Sequence, residues 1–163
     1  MSSNASIHDT LSIERLRREL RIDPGRIRQL RNVFLKKFRG AEAALAELPD
    51  DVRVAFSDRV EFHPLDLEKR CDSKIDGATK LIFRTQAGML IESVLLRAGT
   101  GRVSLCISCQ VGCAAACDFC ATGRMGIARN LTTAEILDQI VQANELLELE
   151  GRKVRNLVFM GMG

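Results

Sequence analysis

Between Leu11 and Leu20, apolar Ile13, Leu16 and Leu20 recur at helical spacing among charged neighbours, which predicts an amphipathic helix. Asp23 followed by Pro24 predicts a second helix start. The carboxylate can accept orphan backbone N–H groups, and the proline ring pre-sets the first helical φ. That helix turns Ile27, Leu30, Phe34 and Phe38 inward and is expected to end at Gly40. Glu42 to Leu48 reads as a short helix stopped by Pro49, and Asp51 to Phe62 as another. Residues 1–9 carry no periodic pattern and are expected to be frayed. The first stretch, residues 1–65, is therefore predicted to be a small all-α domain.

The pattern changes after Pro64. Thr79 to Thr85 and Met89 to Leu96 are β-rich runs, and Gln86-Ala87-Gly88 between them predicts a hairpin turn. Residues 66–101 are read as a β-hairpin extension. Val103 to Ile107 is a third apolar strand that runs straight into a cysteine-rich loop. Thr132-x-x-Glu135 is a capping box, opening a helix with Ile136, Ile140, Val141, Leu146 and Leu147, which Gly151 ends. Asn156 to Gly163 then reads as a buried-type strand. Strand, loop, helix and strand make one βαβ unit of a parallel sheet over residues 102–163. The fold class is α/β. A single βαβ unit needs neighbours to cover it, so the chain reads as the start of an incomplete (β/α) barrel whose further strands lie beyond Gly163.

Composition narrows the class. Of 163 residues, 46% are hydrophobic and 28% charged, as in ordinary globular chains, and none is Trp or Tyr. No apolar run is long enough for a membrane span, and no secretory leader opens the chain, so a cytoplasmic protein with reduced thiols is expected. The net charge of +3 hides an asymmetry. Between Leu11 and Gly40 stand ten basic residues, from Arg15 to Arg39, against three acids. Such a stretch suits a polyanion, most simply nucleic acid. A solvated helix surface would read the same way.

The chemistry lies in the six cysteines. Cys113, Cys117 and Cys120 are spaced C-x-x-x-C-x-x-C. Three thiolates on one short loop can hold three irons of a cubane cluster and leave the fourth open to a small molecule. Cys106-x-x-Cys109 with Cys117-x-x-Cys120 offers a four-thiolate zinc site instead, though its spacer is short and Cys113 would be spare. Cys71 reads as a small buried or surface thiol, and Cys109 likewise outside the zinc reading. Glu92, in an apolar run, reads on its own as an edge-strand charge facing solvent.

Taken together, Ser104 to Cys113, Cys117-Asp-Phe-Cys-Ala-Thr-Gly, Arg129-Asn-Leu-Thr, Glu135-Ile and Phe159-Met-Gly-Met-Gly resemble the radical-SAM RNA adenine methyltransferases, the RlmN and Cfr group. Asp76-Gly77, Thr79-Lys80, Ile91-Glu-Ser-Val and Arg102 match in order as well. The resemblance implies an enzyme with a 4Fe–4S cluster and S-adenosylmethionine, a radical-SAM barrel and an electron donor such as flavodoxin or ferredoxin. It implies methylation of an adenine of 23S ribosomal RNA at carbon 2 or carbon 8, with transfer RNA as a second substrate in some members. It also implies a methyl-cysteine intermediate and a resolving cysteine that forms a disulfide bond, in a monomeric protein. Residue by residue, Cys113, Cys117 and Cys120 match the cluster ligands, Cys106 the resolving cysteine and Glu92 the active-site glutamate. Gly161, Met162 and Gly163 match the strand end beside the methionine part of S-adenosylmethionine. Val111 agrees better with the carbon-2 subgroup, and Cys109 departs from the family's usual Ser or Thr. The family's next residue, a glutamate, and its methyl-carrying cysteine lie beyond this chain, so turnover by this stretch alone is not expected. The alternative without the resemblance is a non-catalytic RNA-binding module with a zinc knuckle.

Overall fold

The computed structural model describes residues 4–163, which divide into one compact unit ending at Pro64 and a second, Leu65–Gly163.

In the first unit, β1 (Ala5–Ser6) precedes α1 (Thr10–Glu19), α2 (Pro24–Leu35), α3 (Gly40–Leu45), α4 (Asp50–Ser57) and β2 (Val60–Glu61). The expected fraying does not hold for residues 4–9. Ala5 and Ser6 pair in parallel with Val60 and Glu61, and Ile7 is fully buried. Asp9 caps α1, its Oδ1 accepting from the N–H of Leu11 at 3.0 Å and of Ser12 at 3.2 Å. Asp23 caps α2 in the same way, with Pro24 in the first turn as expected.

Two helix ends differ from the pattern. Helix α2 stops at Leu35 because Lys36 and Lys37 both donate to the carbonyl of Asn32, after which Phe38 takes a left-handed φ of 54°. Phe38 is thus only half-buried, and Gly40 opens α3 rather than closing α2. Helix α4 ends at Ser57 because Val60 and Phe62 are buried on either side of half-buried Glu61, an alternation that suits a strand. Phe34 is the centre of this core, edge-on to Phe62 with ring centroids 5.1 Å apart.

The second unit contains β3 (Leu65–Asp72), β4 (Thr79–Thr85), β5 (Leu90–Arg97), β6 (Val103–Cys106), β7 (Gln110–Gly112), α5 (Ala121–Arg124), β8 (Ile127–Asn130), α6 (Thr133–Glu148) and β9 (Val154–Val158). Its main sheet has the order β3-β4-β5-β6-β9, antiparallel except for the parallel pair β6–β9. Strand β6, helix α6 and strand β9 are the expected βαβ unit. The hairpin expected as an extension forms two strands of this same sheet. Strand β3 has no sequence signal, because it is an edge strand whose residues after Leu65 are exposed or half-buried and largely charged.

Leu81, Phe83, Ile91, Leu95 and Leu105 are fully buried on one face of the sheet, packed with Ala143 and Leu147 of α6. Strand β9 departs from expectation. It ends at Val158, lies at the sheet edge and is largely exposed, with Leu157 at 45%. Only β6 flanks it within the sheet, so its apolar residues lack cover on the far side.

Candidate functional site

Strand alternation determines what the sheet's second face carries. Because Ile91, Ser93 and Leu95 point into the core, Glu92 and Val94 point the other way. On β6, Val103 and Leu105 are buried while Ser104 and Cys106 share the open face. Val94 pairs with Cys106, so Glu92 stands diagonally across from Cys106, a separation of roughly 7–8 Å in antiparallel sheets. Glu92 lies on a central strand, not an edge, and pairs with Lys80 Nζ at 3.1 Å. The sheet therefore brings Glu92 and Cys106 to one partly exposed surface.

Beyond Cys106 the chain passes Ile107–Cys109 into β7, which pairs with β8 and leads into the thiol loop. Gly112 has φ 81°, and a Cβ there would collide with the carbonyl oxygen of Gly126, so only glycine lets the two strands close. Cys113 N–H donates to that same oxygen at 3.0 Å, and Cys120 N–H donates to the carbonyl of Cys117 at 3.0 Å. Hydrogen bonds from the backbone N–H groups of Gly123 and Thr122 hold the Cys120 thiol below its ordinary range.

Helix α6 anchors this assembly. Thr132 and Glu135 form the expected capping box. Glu135 also takes the Arg129 guanidinium of β8 in a fork, at 2.6 and 2.8 Å. Burial pushes the Glu135 carboxyl up, but Arg129 and the Thr132 N–H and hydroxyl bring it below the usual range.

Cys113, Cys117 and Cys120 are free thiols, all half-buried on one eight-residue stretch, and this soft donor set suits iron–sulfur ligation. Among the described residues, no three His, Cys, Asp or Glu side chains lie close enough together to hold a metal ion. The structure thus places the three thiols on one loop without drawing them into a ligand set, and the four-cysteine zinc arrangement is not assembled either.

Gly161–Gly163 is stitched to the segment after β6. Gly161 N–H donates to the Ile107 carbonyl at 3.1 Å, while Cys109 and Gln110 N–H donate to the Met162 carbonyl at 2.9 and 3.1 Å. A Cβ at Gly161 would lie 2.6 Å from Ser108 Oγ, so this glycine serves a close approach between two pieces of backbone.

Sequence reasoning missed Ser108 and Gln139, both fully buried at this junction. The available signal was a glutamine four residues after the capping-box glutamate, set between the apolar positions Ile136 and Ile140.

The basic stretch is partly neutralised in the structure. Glu14 takes both Arg17 and Arg18, and hydrogen bonds from these two hold its carboxyl down to about 2. Arg15, Arg21, Arg26, Arg28, Lys36 and Lys37 are exposed. No helix among the described residues is long and apolar enough to cross a membrane.

No family model matches the chain. A probable RNA methyltransferase of Rhodopirellula baltica is 55% identical over 161 residues, which cover 99% of this chain and 41% of that protein. A probable dual-specificity RNA methyltransferase RlmN of Aquifex aeolicus is 39% identical, over 89% of this chain and 40% of its own length. A crystal structure of a radical SAM methyltransferase from Sphaerobacter thermophilus superposes with a TM-score of 0.87 at 36% identity, covering 98% of this chain and 47% of that one. The chain therefore spans about two fifths of the length of the curated relatives it matches.

Proposed function

The chain belongs to the radical-SAM RNA methyltransferases of the RlmN and Cfr group, and on that premise we propose that the protein it represents methylates an adenine of 23S ribosomal RNA. Carbon 2 is favoured over carbon 8 by Val111, and transfer RNA is a second substrate. The observation that carries this reading is the open sheet face, where Glu92 and Cys106 stand together on the strands that feed the three-thiol loop.

The family's cofactors are a 4Fe–4S cluster and S-adenosylmethionine. Cys113, Cys117 and Cys120 would hold the cluster, and the backbone of Gly161–Gly163 would face the methionine part of the nucleoside. Together the two groups supply one-electron chemistry that can functionalise an aromatic carbon too poor in electrons for ordinary methyl transfer. The electron comes from a flavodoxin- or ferredoxin-type donor.

Glu92 contacts the target adenine and handles a proton there. Lys80 keeps its carboxylate oriented on the open face. Cys106 resolves the covalent enzyme–RNA adduct. Its thiolate attacks the sulfur of the family's methyl-carrying cysteine, the new S–S bond replaces the S–C bond, and the electron pair left on the methyl carbon takes up a proton. The exposed cations of α1 and α2 contact RNA phosphates, and neutralising them should flatten the salt dependence by about one unit of slope per lost contact.

The test is Cys106→Ala in the intact enzyme. The variant should accumulate crosslinked RNA on denaturing gels. Normal release of methyladenine by that variant would remove Cys106 from the mechanism.

A further inference from the structure

One buried polar cluster joins the parts of this site. Ser108, just past β6, is fully buried. Its hydroxyl donates to the Glu92 carbonyl at 2.6 Å and accepts from the Met162 N–H at 2.8 Å. Its own backbone is clamped by Gln139 of α6. Gln139 Oε1 accepts from Ser108 N–H at 2.9 Å, and Gln139 Nε2 donates to the Ser108 carbonyl at 3.0 Å. The remaining capacity of the carboxamide goes to Ser93 Oγ at 2.7 Å and the Glu135 carbonyl at 3.2 Å.

A buried amide that uses both donors and both acceptor sites can sit in one orientation only. Burying such groups costs free energy unless every bond is made, and an apolar filler would serve packing as well. The arrangement therefore specifies position. One oxygen atom, Ser108 Oγ, bridges the strand that bears Glu92 to the segment that bears Met162. A side chain on Gly161 would strike that same oxygen, so the two backbones meet at the closest approach the hydroxyl allows.

The geometry points to Ser108 and Gln139 as positioning residues that fix the Gly161–Gly163 backbone against the Glu92 strand. They thereby set the separation between the cofactor-facing strand end and the carboxylate that meets the adenine. This rests on the function proposed above, since it takes Gly161–Gly163 and Glu92 as the two sides of the site. Neither residue touches a reacting atom.

The experiment is Ser108→Ala in the intact, cluster-loaded enzyme. It is read by amide hydrogen exchange at Met162, by the dissociation constant for S-adenosylmethionine and by the unfolding midpoint. Exchange at Met162 should quicken at least tenfold while the amide of Leu105 keeps its protection, because only the former loses its acceptor. Affinity for S-adenosylmethionine should fall about tenfold, the worth of one buried hydrogen bond. Ser108→Thr, which keeps the hydroxyl, should restore both. If Ser108→Ala does not fold, Ser108→Cys, which fills the same space with a weaker donor and acceptor, carries the same expectations. Met162 exchange and affinity both at the wild-type level would overturn the assignment. So would losses that track global stability alone and appear equally at Leu105. A wild-type enzyme that bound no S-adenosylmethionine would instead refute the proposed function, and the exchange measurement would still decide whether Ser108 holds Met162.

Discussion

On one face of the five-stranded sheet, Leu81, Phe83, Ile91, Leu95 and Leu105 are fully buried in the core shared with α6. On the other face, Lys80, Glu92, Val94 and Cys106 keep partial access to solvent. The same strands carry both sets, in strict alternation. On the covered face a loss of apolar volume opens a cavity. On the open face a residue can change with little consequence for folding. On the proposed function, stability and chemistry should therefore be largely separable along β4, β5 and β6.

That separation gives a graded set of expectations. Phe83→Ala should cost about 3–5 kcal/mol, read by urea unfolding of the chain, because a fully buried aromatic leaves a cavity. A loss below about 1 kcal/mol would mean the covered face repacks freely. Glu92→Gln should change stability by less than about 1 kcal/mol, since its ion pair with Lys80 is half exposed on both sides. The same change in the intact enzyme should abolish methyl transfer to RNA. A large stability loss from Glu92→Gln would show that the open face is structural after all.

The smallest effect concerns acid. The folded-state pKa of Glu135 lies below its ordinary 4.5. Its contribution to stability is therefore fully present above that value and is lost as pH falls through the folded pKa. Glu135→Gln should flatten the decline in urea midpoint below about pH 4.5 and lower the midpoint at pH 7. An unchanged acid limb would show that the Arg129 fork adds nothing to folding.

Periodicity made much of this fold legible. The Asp23–Pro24 start of α2, the β4–β5 hairpin and the Thr132–Glu135 capping box are local signals, and each stands where the pattern put it. What the pattern lacked depends on distant partners. Strand β3 exists because β4 offers it an edge, not because its charged sequence favours a strand. The short β7–β8 pair is held by Gly112 fitting against Gly126, a contact with no periodic trace. At the site, the three thiols and the glycines could be read from spacing and resemblance. That Glu92 and Cys106 share a face required the register of β5 on β6. Ser108 and Gln139 were hidden because a buried polar residue looks like a break in an apolar run until its partners are seen.

Cys113, Cys117 and Cys120 are proposed to hold a radical-SAM cluster. Metal analysis after anaerobic reconstitution of the chain with iron and sulfide tests this most directly. About four irons per chain with a broad visible absorbance are expected. The colour should vanish when the three cysteines are changed to alanine together and persist in Cys71→Ala. One tightly bound zinc, no iron uptake and retention of that zinc in Cys113→Ala would contradict it, and would identify Cys106, Cys109, Cys117 and Cys120 as a zinc site instead.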